Sequence, residues 1–250
     1  MTRARLAAYG RYQLADYVVQ RALLPFAMIV LIAGVPRLGM VHGVNATFWA
    51  TTSGSEFARQ LYLSTVTLFL PLGAYFATAG VLSSDREKGY FRLLFSKPVP
   101  VTRFYLQQYL IHGATFIALF GALTWLWGAV TTPQPVLRAL EAAALTWMLV
   151  GGLGFALGAL IRFDGAVLAL LYLVASAAQA LAAAPAGAMG PPWIGGLARI
   201  LPPVRELDLT RNRLFDGLPV DAEPLWHVAG YGAAAWIVGW LALRLRAVQR

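Results

Sequence analysis

Chemistry inside a protein needs a nucleophile, a base, a carboxylate pair or a ligand cluster, and this sequence offers little of each. Ser64 and Ser176 are the serines that fall within long apolar runs, and His112 is the histidine available as their base. A nucleophilic site needs the hydroxyl held beside that base, yet no Gly-x-Ser elbow accompanies either serine. His42, His112 and His227 are far apart and beside no acidic cluster, and cysteine is absent. Disulfides and thiolate metal sites are therefore excluded, and no metal site is expected. An ion-driven carrier places carboxylates at mid-membrane or breaks its helices there; no Asp or Glu falls in the middle of an apolar run. A phosphate-cradling Gly-x-x-x-x-Gly-Lys-Ser/Thr loop is also missing, since neither lysine, Lys88 or Lys97, follows a glycine. No catalytic residue is assigned, and any ATP and magnesium must sit on another chain.

The elements that would position such residues are apolar. Hydrophobic residues make up 59% of the 250 residues and charged ones 12%, against roughly 45–50% and 25% in soluble chains. Several runs reach the ~20 residues a helix needs to cross ~30 Å of hydrocarbon. The reading is an all-α membrane protein, one transmembrane domain over residues 1–250, with six transmembrane helices at about 22–41, 60–82, 104–130, 139–161, 166–188 and 225–243. Residues 1–21 mix Arg3, Arg5 and Arg11 with Leu6, Tyr9, Tyr12, Leu14 and Tyr17. That pattern predicts an amphipathic interfacial helix lying along the headgroups. Residues 189–224 are rich in proline and glycine around an apolar centre, Trp193 to Leu201, and predict a short re-entrant or interfacial element.

The basic residues orient the bundle. With the N-terminus in the cytoplasm, the inner segments hold the arginines at 3, 5, 11, 21, 86, 92, 103, 162, 244, 246 and 250 and both lysines, against Asp16, Asp85, Glu87 and Asp164. In the outer segments the basic and acidic residues balance, so the whole net charge of +9 lies on one side. Both termini are then cytoplasmic, and the protein is expected in the cell inner membrane as a multi-pass protein. In a soluble domain that charge would suggest nucleic acid; here it reads as orientation, and no nucleic-acid partner is expected.

The most informative stretch is Ser83 to Tyr109, between the second and third spans. Helix pairs are joined by roughly 2–8 residues, so this connection is oversized. At roughly 100° per residue, Tyr90, Phe91, Leu94 and Phe95 fall within an arc of about 140°, with Gly89, Arg92 and Ser96 opposite. Asp85 and Glu87 suit the start of a helix and Lys97 its end, and Pro98 and Pro100 stop it. A helix of this kind either orients the protein at the membrane surface or docks a cytoplasmic partner.

Here the sequence resembles the ABC-2 type transporter permeases, the membrane subunits of ABC transporters. The resemblance is carried by Asp85-Arg86-Glu87-Lys88-Gly89, then Leu93-Leu94-Phe95-Ser96-Lys97-Pro98, then Arg103-Phe104-Tyr105. The six-span layout, the basic C-terminal tail and the stretch from Leu201-Pro202-Pro203 to Gly217-Leu218-Pro219-Val220 are similar too. The resemblance implies a permease subunit, an exporter, paired with a second permease subunit (homodimer or related heterodimer) above a pair of P-loop ATP-binding subunits. It implies a cytoplasmic coupling helix between helices 2 and 3, with Asp85, Arg86, Glu87, Gly89, Tyr90, Phe91, Leu94, Phe95, Lys97, Pro98 and Arg103 coupling to the ATPase. The alternatives from other classes are an ion-driven secondary transporter and an intramembrane enzyme.

Four further readings concern packing. Gly154 and Gly158 form a Gly-x-x-x-Gly pair suited to close helix approach, within one subunit or at a dimer seam. Gln179 and Ser176, polar in an alanine-rich span, are possible pathway residues, and Gln179 should face protein or water. His112, one turn from Gln108, is expected to be a hydrogen-bonded packing histidine. Trp125, Trp127, Trp193, Trp226, Trp236 and Trp240 read as an aromatic belt near span ends.

Overall fold

The computed structural model describes residues 10–15, 17–22, 52–79, 81–82, 101–130, 133–184 and 193–248. The expected first span, 22–41, falls almost wholly outside them, as do residues 83–100. Every regular element among the described residues is helical. Five helices are long and apolar enough to cross a membrane: α1 (Thr52–Thr78), α2 (Val101–Val130), α3 (Val136–Leu160), α4 (Asp164–Ala182) and, last in the chain, α7 (Ala222–Val248). Between α4 and α7 lie α5 (Trp193–Ile200) and α6 (Val204–Phe215). Short connections make successive helices run up and down, so one end of the bundle carries the α5–α6 hairpin and the other end carries Leu82, Phe104, Ala159 and Leu243 in one buried cluster. These are the hairpin end and the base.

α3 and α7 share the most extensive contact in the bundle. Their backbones meet at Gly152 and Gly232: a Cβ on either would collide with the other helix's main chain, at the Gly232 carbonyl or at the Met148 carbonyl. A Cβ on Gly239 would lie 2.8 Å from Ala156 Cα. Small residues permit such approach, and the gain is dense van der Waals packing where no hydrophobic drive between spans exists. Beside this seam α3 is wound as a π-helix over Trp147–Gly151. The extra residue swings Trp147 against Tyr109 and Phe116, with ring centroids 5.0 and 5.8 Å away.

The lead segment is helical over residues 10–15, followed by one π-helical turn at Tyr17–Ala22. Its buried side docks on protein: Gln13 Nε2 donates to the Phe104 carbonyl at 3.5 Å, and the Tyr17 ring lies 4.8 Å from that of His112. Tyr12, Leu14, Val18 and Val19 face outward.

The re-entrant or interfacial stretch is the α5–α6 hairpin. Pro202 and Pro203 break the chain between the two helices, and Pro203 stands at the start of α6, where its missing N–H costs nothing. α6 ends in a Schellman turn: Gly217 takes a φ of 68°, and Leu218 N donates to Arg213 O at 2.9 Å. α6 lies across the bundle end, from α4 to α1, with Val204, Leu207, Arg211 and Leu214 buried beneath it.

Candidate functional site

The coupling residues Asp85, Arg86, Glu87, Gly89, Tyr90, Phe91, Leu94, Phe95, Lys97 and Pro98 lie outside the described residues. Arg103 is described: it is exposed in the first turn of α2 at the base. The attachment points of the connection are also described. Leu82 belongs to the same buried cluster as Phe104 and Tyr105, so residues 83–100 join two chain ends that lie at one end of the bundle.

About three turns along α2 from the base, His112 Nδ1 lies 3.0 Å from the Ala77 carbonyl. A carbonyl only accepts, so Nδ1 carries the proton in this contact. His112 is 1% exposed and staples α2 to α1, the packing role expected of it. It is not beside the serines. Ser64 precedes Ala77 by thirteen residues on one helix, about 20 Å at ~1.5 Å per residue, and its hydroxyl donates to the Gln60 carbonyl at 2.8 Å. Ser176 is half-buried on α4, whose first turn at Gly165 meets Tyr75 and Ala79. Ser176 therefore sits about 17 Å further toward the hairpin end. Neither pairing for nucleophilic catalysis is assembled.

Gly154 and Gly158 pack inside this chain. A Cβ on Gly154 would lie 2.7 Å from Thr78 Cβ, and one on Gly158 would lie 3.3 Å from Leu82 Cβ. Both are buried against the end of α1. The α3–α7 approach, Gly152 with Gly232 and Ala156 with Gly239, was not evident from the sequence. A Gly-x-x-x-Gly search finds one helix of a pair and does not name its neighbour. The seven-residue spacing of Gly232 and Gly239 was the available signal.

At the hairpin end Gln179 is 9% exposed and faces protein. Its Nε2 donates to the Pro202 carbonyl at 2.7 Å and the Ala198 carbonyl at 3.3 Å, and Arg205 N donates to its Oε1 at 2.8 Å. One amide thus clasps the hairpin to α4 through groups that two prolines leave without helical partners. The tryptophan belt needs correcting: Trp125, Trp193 and Trp226 are exposed, but Trp127 is 2% exposed, packed on Tyr62, and Trp236 stacks on Phe155 in the interior.

Arg211 is the least expected residue. It is 1% exposed, and its Nη2 donates to Asp208 Oδ1 at 2.5 Å while Nε and Nη1 make no hydrogen bond. Burial raises the Asp208 carboxyl above the usual carboxylate range, with the Arg211 charge and hydrogen bond pulling against it. The sequence carried a signal here: Arg211 shares the helical spacing of Val204, Leu207 and Leu214.

Other polar contacts lie at the hairpin end: ion pairs of Arg59 with Asp216, Arg213 with Asp221 and Arg138 with Glu141 at 3.0 Å, and a hydrogen bond between His227 Nδ1 and Glu206 Oε2 at 2.7 Å. Between α1 and α6 lies a cavity of about 550 Å³, lined among the described residues by Leu63, Ser64, Thr67, Leu68, Asn212 and Asp216. No group of three His, Cys, Asp or Glu side chains that could hold a metal comes together among the described residues.

Searched against protein families and against curated proteins, the chain matches none. What the fold itself defines is a class: a multi-pass helical membrane protein.

Proposed function

We propose that this chain is the membrane subunit of an ATP-driven ABC-2 type transporter, an exporter whose ATP-binding subunits are separate chains. The observation that carries the reading is the connection from Leu82 to Phe104. Its two ends belong to one buried cluster, so a short connection would suffice. Yet the chain places between them an acidic start, an aromatic face and a double proline stop. Surplus length with that pattern is the expected form of a handle for another protein.

Charge supports the orientation. Arg103, Arg162 and Arg244 flank the base, the last two lying over the rings of Phe163 and Trp240 at 6.0 and 5.3 Å. Four arginines at the hairpin end, 59, 138, 211 and 213, are matched by carboxylates. By sequence the arginines at the base outnumber Asp164, the acid beside them, and an excess of basic residues marks the cytoplasmic side. There Glu87 holds the second span to the coupling helix, Tyr90, Phe91, Leu94 and Phe95 face protein, and a second permease subunit completes the transporter. Gln179 and Ser176 lie along the half of α4 nearest the outer face, where a pathway would emerge.

The test is isolation of the tagged chain from its native membrane in mild detergent. A P-loop ATP-binding subunit should accompany it in equal amount. The Glu87→Arg variant should keep the partner and lose stimulation of its ATP hydrolysis. Full retention of transport after ATP is depleted, with the ion gradients maintained, would instead favour the ion-driven carrier.

A further inference from the structure

The exposed face of α1 changes character halfway along. Toward the hairpin end it presents Glu56, Gln60, Ser64 and Thr67, all exposed, with Phe57 as the exposed apolar residue among them just before the span begins. Toward the base the same face continues as Leu68, Leu72 and Phe76, exposed by 56%, 37% and 43%. Gln60, Ser64 and Thr67 lie within the membrane-spanning part of the helix, Arg59–Thr78. Hydrocarbon solvates the leucines and the phenylalanine but cannot serve an exposed amide or hydroxyl. The Ser64 hydroxyl already donates to the Gln60 carbonyl; the exposed Gln60 amide, the Thr67 hydroxyl and the accepting side of Ser64 are the groups that water, protein or a ligand would serve.

α6 supplies the facing wall. Asn212 and Asp216 line the cavity of about 550 Å³ opposite Ser64 and Thr67, with Leu63 and Leu68 at its apolar side. That volume lies in the roughly 300–1,000 Å³ range of small-molecule sites. Its charge is already balanced: Asp216 is bonded to Arg59, and the remaining polar lining is two hydroxyls and an amide. An anion would meet the Asp216 carboxylate, with Glu56 exposed on the same face; a cation would have to displace Arg59. A neutral group bearing several hydroxyls can both donate and accept here without either penalty. The apolar strip Leu68, Leu72 and Phe76 leads away from it along the span.

We propose that the groove between α1 and α6 binds an amphiphile with an uncharged, hydroxyl-bearing head group. The head sits among Ser64, Thr67 and Asn212, and the hydrocarbon chain lies along Leu68, Leu72 and Phe76. The inference needs α1 to cross the membrane and goes beyond the transporter reading. It is tested without nucleotide, so its failure leaves the coupling proposal untouched, and the reverse.

The natural chain has no cysteine, which makes single-cysteine variants direct reporters. Ser64→Cys, Thr67→Cys, Leu72→Cys and Phe76→Cys would each be purified as a monodisperse species, placed in phosphatidylcholine nanodiscs and treated with a membrane-impermeant charged maleimide. S64C and T67C should react at least tenfold faster than L72C and F76C; should one of the first two fail to fold, the other reports the same groove. Nanodiscs containing a digalactosyl lipid should slow the reaction of S64C and T67C at least threefold. Phosphatidylglycerol at the same fraction, or the free disaccharide, should not. Adding Asn212→Leu to T67C should remove the protection. Equal reactivity along the helix would show that the groove is not open to water and overturn the proposal. Protection by the free sugar, or equal protection by the anionic lipid, would overturn the assignment of its ligand.

Discussion

Two regions of this bundle are held by opposite means. The α3–α7 seam brings main chain against main chain, with Gly152 and Gly232 leaving no space for even a methyl group. The hairpin end is held by side-chain polar groups: the Gln179 amide, the half-paired Arg211 and ion pairs such as Arg59–Asp216 and Arg213–Asp221. Hydropathy does not separate the two kinds of environment. α3 and α4 are similarly apolar, yet 78% of the apolar window of α3 is buried and 22% of that of α4. The neighbours decide the difference. The seam leaves few ways to move except by parting helices, whereas polar bonds near water can exchange partners at little cost. Of the bonds at the hairpin end, the exposed ion pairs are the ones that exchange most readily.

Substitutions should rank accordingly. Gly232→Leu should cost the most, above about 3 kcal/mol, because its side chain meets backbone and no rotamer relieves the clash. Thermal unfolding in detergent should show little folded protein, and a normal melt would break the comparison. Asp208→Ala comes next. Removing the partner of a buried charge costs roughly 3–5 kcal/mol, and the partial exposure of Asp208 reduces this to about 2–3 kcal/mol. Arg211→Met, which removes the charge itself, should be neutral or stabilising in the same assay.

The Asp208 carboxyl also predicts a pH dependence. Its value is raised in the folded state, so the folded protein holds that proton more tightly than the unfolded chain. Stability from this group is fully present below the ordinary carboxylate value and is lost as pH rises through the raised one. Melting temperatures measured across that window should fall less with rising pH in Asp208→Asn than in the natural chain. Gln179→Ala should cost about 1–2 kcal/mol, since it strands carbonyls and an N–H at the hairpin. Limited proteolysis between α4 and α6 should then speed up. Arg59→Ala, at an exposed pair, should cost less than about 1 kcal/mol and still free the rim of the groove.

Much of the fold was legible because crossing a membrane imposes a length and a composition. The expected spans 60–82, 104–130, 139–161, 166–188 and 225–243 meet observed apolar windows Arg59–Thr78, Val101–Ala129, Val136–Leu160, Asp164–Ala182 and Ala222–Leu245 within a few residues at most ends. The exceptions have local causes. The helix of α1 gives way to a turn at Ala79, and α4 reaches only Ala182 before its helical bonding ends. The hairpin was foreseen as an irregular element but not as two helices, because α6 is polar and short and reveals itself only through Pro203 and the Arg211 face. The seam and the role of Gln179 were not legible, since both depend on which helix lies alongside. The coupling segment is the reverse case: a pattern clear in sequence whose residues 83–100 the structure leaves undescribed.

The most direct measurement is therefore made on that segment. A photo-reactive phenylalanine analogue placed at position 91 or 94 in cells should, on irradiation, join this chain to a P-loop ATP-binding subunit, with a yield that changes when ATP binds. The same probe at Leu170, on the outward face of α4, serves as the lipid-facing control. Cross-linking at 91 and 94 to lipid alone, at the level of that control, would contradict the account.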